Sequence, residues 1–170
     1  MRELLFLNSL KAFMLMKRLF IIPVVLLCQG LLCSGVAPEF INPTGTYTLT
    51  GTVRKHHVLG HSGEIRAELL DSGRIAISCY INKGYPNYES GSLIDTLLYD
   101  DNVARYHPSN DSTCTIIFHF YPRTVEILGL YDDPHSACGF ATGVMAAAIF
   151  EKTSGDRPVI QDLSAHGTVH

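Results

Sequence analysis

Apolar and polar residues alternate along most of the chain after residue 43, the mark of strands with one buried face. The first run places Tyr47, Leu49, Gly51 and Val53 on one face and Thr46, Thr48, Thr50 and Thr52 on the other. Threonine, polar and β-branched, suits the solvent side of a strand. Ile65, Ala67 and Leu69 then alternate with Glu64, Arg66 and Glu68. After Asp71-Ser72-Gly73 the alternation resumes at Ile75, Ile77 and Cys79. Two such runs around a glycine-containing turn predict a β-hairpin.

Further strands are predicted over 93–99 and 102–106, with Asp100 and Asp101 as the turn between them. The Pro-, Ser- and Asn-rich stretch 107–112 reads as a loop. Over 113–121, Cys114, Ile116, Phe118 and Phe120 share one face while Ile117 lies on the other, so this strand is expected to be covered on both sides. Pro122-Arg123 turns into a strand over 124–131. A loop covers 132–139, a last apolar strand covers 143–150, and residues 153–170 form a polar tail. About eight antiparallel strands with no convincing helix predict an all-β domain over 44–152. Hairpin connections between neighbours favour a small closed barrel, which removes exposed edges; a two-sheet sandwich is the alternative.

The beginning of the chain has a different pattern. Residues 19–32 are almost unbroken apolar sequence preceded by Lys17 and Arg18, with the small residues Ser34 and Gly35 following. That layout predicts a secretory signal over 1–35, with the true start possible at Met14 or Met16, then a linker over 36–43. The apolar run is short for a membrane span, so the mature form is expected to have no transmembrane segment. Export to a periplasmic or secreted location follows, with lipid attachment at Cys28 or Cys33 as the less favoured variant because each follows two leucines.

The chain has 170 residues and a formal charge of −3. Residues 1–35 hold four of its 13 basic side chains and one of its 16 acidic ones, leaving nine against 15 and a net of −6. An acidic surface with no Lys/Arg cluster disfavours nucleic acid and anionic lipid as partners. Three cysteines follow the signal. In an oxidising compartment one pair is expected, and Cys114–Cys138 is preferred. Cys79, in phase with Ile75 and Ile77, reads as a buried thiol; a pairing that includes it is the alternative.

Candidate chemistry is sparse. His56, His57 and His61 crowd one loop with Glu64 close behind, which offers weak candidate metal ligands, although their spacing matches no established zinc motif. Asp100-Asp101-Asn102 and Asp132-Asp133 lack the spacing of a calcium loop. Glu89-Ser90-Gly91-Ser92 lacks the glycine pattern of a nucleophile elbow. Asp95 alternates with Leu93 and Leu97, so it points inward as a candidate acid, caps a turn, or faces solvent while Ile94 and Leu98 face the core. No catalytic residue and no cofactor is assigned. The segment 82–92 is the better candidate: Lys83, Tyr85, Tyr88 and Glu89 share a loop with Gly84, Pro86 and Gly91, and tyrosine gives contact area at low entropic cost.

Several of these segments form one larger pattern. Gly45-Thr46-Tyr47-x-Leu49, Ser90-Gly91-Ser92 with Asp95-Thr96-Leu97, Cys114 before Ile117-Phe118-x-Phe120, and Cys138-Gly139-Phe140 with Gly143-Val144 together resemble a group of small secreted bacterial proteins over residues 42–160. That resemblance implies export and carries no activity. The Cys-Gly-Phe ending and the strand count are also similar to periplasmic lysozyme-inhibitor-like proteins, which implies a protein partner. Gly45-x-Tyr47 is loosely similar to the start of a lipocalin, but lipocalins carry Trp where Tyr47 stands, and this chain has no Trp.

The expectation is therefore an exported binding module with a protein partner, a basic one given the acidic charge. The alternatives are a carrier of a small apolar ligand inside the barrel and a metal protein or hydrolase built on the His56–His61 loop.

Overall fold

The computed structural model describes residues 39–71, 73–133, 136–144 and 147–161. The strands are β1 (Gly45–Leu49), β2 (Thr52–Arg54), β3 (His57–Leu59), β4 (Ser62–Leu70), β5 (Arg74–Asn82), β6 (Ser90–Asp100), β7 (Val103–Tyr106), β8 (Cys114–Phe120), β9 (Thr124–Tyr131) and β10 (Ala148–Ser154). Eight of them close a barrel in the order β1-β10-β9-β8-β7-β6-β5-β4, and every neighbouring pair is antiparallel. From β4 to β10 the chain is an up-and-down meander, and β10 returns to β1 to close it. β2 and β3 form a separate hairpin outside the barrel. No helix among the described residues is long and apolar enough to cross a membrane.

The period-2 pattern decides what fills the interior. Ile65 and Ala67 of β4 face Cys79 and Ile77 of β5, which in turn face Leu93 and Asp95 of β6. Ile116, Phe118 and Phe120 of β8 join Val125 and Ile127 of β9 and Phe150 of β10, all fully buried. Cys114 and Cys138 are disulfide-bonded with their Cα atoms 5.4 Å apart, within the ordinary range for a bridge. Cys79 is a buried free thiol.

Three tight turns link neighbouring strands. Lys55 and His56 both have positive φ and form a two-residue link between Arg54 and His57, the type I′ geometry that suits a twisted hairpin. Asp101 and Asn102 do the same between β6 and β7. The turn is thus one residue later than the expected Asp100-Asp101, because Asp100 pairs with Val103 as the last ladder position. Gly73, at φ +68, closes the β4–β5 hairpin.

The last strand differs from expectation. It runs over Ala148–Ser154, not 143–150. Gly143 is left-handed and the Val144 N–H bonds to Ala141 O, so this part is a turn whose Val144 side chain is fully buried. Hydrophobicity there marks a loop residue that seals the barrel, which alternation cannot distinguish from a strand residue. The first run is also shorter than it reads: β1 stops at Leu49, and Thr52 and Val53 belong to the outer hairpin.

Chain segments outside the strands close one barrel end and cover part of the outer wall. At the end where β1 begins, the Tyr47 hydroxyl donates to Pro43 O and the Tyr99 hydroxyl to Ile41 O. The rings of Tyr47 and Tyr99 each meet Phe120 edge to face. The residues after β10 lie along the outside of β4, where Arg157 pairs with Glu68 and Arg66 donates to Val159 O. The expected signal over 1–35 lies outside the described residues, as do residues 162–170 of the expected tail.

Candidate functional site

Three connections meet at the barrel end opposite the one that Tyr99 occupies: the β2–β3 hairpin, the β5–β6 loop and the long β9–β10 connection. Their meeting brings together two segments that are separate in the sequence, the histidine loop and the tyrosine loop.

The β5–β6 loop is braced from within. The Asn82 carboxamide accepts the Gly84 N–H at 2.7 Å and donates to Tyr88 O at 2.8 Å. The Tyr88 N–H donates to Gly84 O at 2.8 Å, and the Lys83 N–H to Glu89 O at 3.0 Å. Gly84 is left-handed and buried under the hairpin, where a Cβ would lie 2.5 Å from Gly60 O and 2.6 Å from Val58 O. Only glycine allows that approach, and it lets the Tyr85 N–H reach Val58 O at 2.8 Å. The Tyr85–Pro86 peptide is cis, and Tyr88 has φ +53.

This scaffold presents an aromatic surface. The His57 and Tyr85 rings lie 4.4 Å apart at 39°. The Tyr85 and Tyr88 rings lie 6.4 Å apart, edge to face. The Tyr88 hydroxyl and His57 Nδ1 share a hydrogen bond of 3.3 Å. Both tyrosines remain substantially exposed, Tyr85 at 49% and Tyr88 at 42%. They are therefore presented to solvent and not packed into the barrel rim.

The four residues expected to make the contact divide into two roles. Tyr85 and Tyr88 form the surface. Lys83 and Glu89 pair with each other across the base of the loop, and Lys83 also donates to Thr142 O at 3.1 Å. Their charges are largely spent on holding the loop.

The weak metal candidates do not converge. His56 sits in the exposed turn. His57 engages the tyrosines, His61 Nε2 is 3.2 Å from Gly143 O, and Glu64 accepts from Arg66 Nε at 2.6 Å. Among the described residues no three His, Cys, Asp or Glu side chains form a group placed to hold a metal ion. Asn102, from the first acidic run, is taken up by Ile41 and Glu39.

Asp95 follows none of the three expectations in full. Leu93, Leu97 and Tyr99 face the core, and Ile94 and Leu98 are exposed. Asp95 has the inward phase yet is solvent-exposed, and its carboxylate accepts the Thr96 N–H at 2.7 Å.

Beside the site, Asp111 ties the β7–β8 loop to the disulfide segment. It accepts from Thr113 Oγ1 at 2.6 Å and from Ser136 Oγ at 2.5 Å. These bonds, with those from the Thr113 and Cys138 backbones, hold its carboxyl below the ordinary carboxylate range.

Sequence reasoning missed that His57 belongs with the tyrosines. The one local signal was Gly84, whose close approach to the hairpin depends on a contact across 24 residues. No family model, no curated protein and no solved structure matches the chain.

Proposed function

We propose that the protein is an exported binding module that holds a protein partner without catalysing a reaction, and that His57, Tyr85 and Tyr88 are its contact surface. The observation that carries this reading is the exposure of two tyrosines on a loop whose backbone is fixed by five hydrogen bonds and a buried glycine. A preformed aromatic surface loses little freedom when it binds.

The partner's chemistry follows from charge. A net of −6 after residue 35 favours a basic protein and speeds its encounter. With the resemblance to lysozyme-inhibitor-like proteins, this supports a basic, wall-degrading enzyme of lysozyme type. The interior argues against the apolar carrier, because Tyr47, Phe118, Phe120, Phe150, Ile116 and Ile127, all fully buried, occupy it.

The test is calorimetric titration of the exported protein with a lysozyme, alongside a lysis assay, for the parent and for Tyr85→Ala/Tyr88→Ala. The expected result is binding by the parent that weakens at least tenfold in the double variant and falls with added salt, since each hot-spot side chain contributes about 2 kcal/mol. Equal binding by both proteins removes the tyrosine surface from the proposal. No binding by the parent removes the lysozyme-type partner.

A further inference from the structure

The barrel closes unevenly. β6 pairs with β5 over nine positions, Ser90 to Leu98, but with β7 over only two, Tyr99–Ala104 and Asp100–Val103. β7 ends at Tyr106, so among the described residues most of β6 has no strand on its other side.

Hydrogen bonds show which groups face that open side. The Tyr99 N–H points to Gly73 O, on the β5 side. Backbone groups alternate along a strand, so Leu93, Asp95 and Leu97 also point toward β5, and Ser92, Ile94, Thr96 and Leu98 point away. The Thr96 N–H agrees, since it bonds to the Asp95 carboxylate and not to β5. Among the described residues no backbone group pairs with Ser92, Ile94, Thr96 or Leu98 on the open side. Ile94 is 52% exposed and Leu98 76%.

An exposed edge of this kind invites another strand unless it is blocked by charge, proline or a bulge. Between Ser90 and Leu98 the only charged residue is Asp95, at the middle of the open edge. Its carboxylate occupies the central N–H donor.

We infer that the β6 edge accepts an extended segment of a partner protein that carries a basic residue at the position facing Asp95. A Lys or Arg there draws the carboxylate away from Thr96, and the freed N–H becomes available to the incoming carbonyl. Apolar residues on the same segment cover Ile94 and Leu98. An acidic segment meets Asp95 with like charge and leaves the edge capped. A second copy of this chain is disfavoured because two-fold antiparallel pairing brings two Asp95 carboxylates close together. Strand addition gives affinity through the main chain and selectivity through alternate side chains. This site is separate from the aromatic surface and does not depend on it.

The test uses two short capped peptides with valines at alternate positions, one with a central lysine and one with a central glutamate. Binding to the exported protein is followed by fluorescence anisotropy, with amide hydrogen exchange to locate it. The lysine peptide is expected to bind at least tenfold more tightly than the glutamate peptide and to protect the Ile94, Thr96 and Leu98 amides. Asp95→Lys is expected to reverse the preference. Thr96→Pro, which removes an N–H that β5 does not use, is expected to abolish binding while thermal unfolding stays cooperative. Tyr85→Ala/Tyr88→Ala is expected to bind both peptides as the parent does, which separates this site from the tyrosine surface. The inference is overturned if neither peptide binds, if Asp95→Lys leaves the preference unchanged, or if protection appears elsewhere. It is also overturned if sedimentation shows a dimer of the parent that Asp95→Lys abolishes or Thr96→Pro dissociates, because the edge then pairs with a second copy.

Discussion

The Asn102 carboxamide accepts the Ile41 N–H at 2.8 Å and, through its amide nitrogen, donates to Glu39 O at 2.8 Å. One side chain in the β6–β7 turn therefore fastens the chain ahead of β1 to the barrel. Asn102 also has φ +64, a conformation that asparagine tolerates better than most residues. Asn102→Gly keeps the turn and loses the hydrogen bonds; Asn102→Ala loses both. Chemical denaturation is expected to show a cost of about 1–3 kcal/mol for the glycine variant and a larger one for alanine.

Alkaline pH should act at the same place. Burial pushes the Tyr99 hydroxyl from its ordinary 10.0 up to about 12, and Tyr47 is raised further by burial and by Tyr99. A group whose folded pKa is raised adds stability that is fully present below the unfolded value and lost as pH rises through the folded one. Stability is therefore expected to hold up to about pH 10 and to fall between there and about 12. Urea midpoints measured across this range check the slope. Tyr99→Phe should flatten it while lowering stability at neutral pH, through loss of the bond to Ile41 O.

The Cys114–Cys138 bridge closes a loop with a sequence separation of 24. On the chain-entropy model such a closure contributes roughly 3.5 kcal/mol. Cys114→Ser/Cys138→Ser is expected to lower the unfolding free energy by about 2–4 kcal/mol, measured by denaturant titration without reductant.

Cys79 is fully buried and its thiol is pushed well above its ordinary range by desolvation. It should resist iodoacetamide in the native protein and react only on unfolding, as peptide mapping by mass spectrometry would reveal. Cys79→Ser places a hydroxyl in an apolar interior and is expected to cost about 1–3 kcal/mol, whereas Cys79→Ala should cost less than the serine.

Gly84→Ala addresses the tyrosine loop through its support alone. The new Cβ cannot fit beneath Val58 O and Gly60 O, and φ at this position is +76. The loop is expected to leave the hairpin, with a stability loss of about 1–3 kcal/mol. The shared His57–Tyr88 hydrogen bond should be lost with it, visible as changed ring chemical shifts of His57 and Tyr88 by NMR.

Much of the barrel was readable along the chain. Alternation placed Ile65, Ala67, Ile75, Ile77 and Cys79 on a buried face, and Cys114, Ile116, Phe118 and Phe120 on another. Cys114–Cys138 was the preferred pairing because Cys79 is in phase with buried Ile75 and Ile77, and it is the pairing found. The failures share a cause. Val144 is hydrophobic because it seals the barrel, Val53 belongs to an outer hairpin that is 68% exposed at that residue, and Asp95 has a core phase without a core environment. Alternation records which side a residue faces and is silent on whether anything covers that side.

By itself, then, the sequence determined most of the barrel strands, their buried faces, the glycine-containing turn at Gly73, and the acidic charge. These depend on steric and solvation preferences of residues close together in the chain. Only the tertiary structure decided that His57 joins Tyr85 and Tyr88, that Lys83 and Glu89 brace the loop instead of presenting charge, and that β6 keeps an open edge. Each of those depends on where distant segments stop relative to one another, which barrel closure sets and no local pattern encodes.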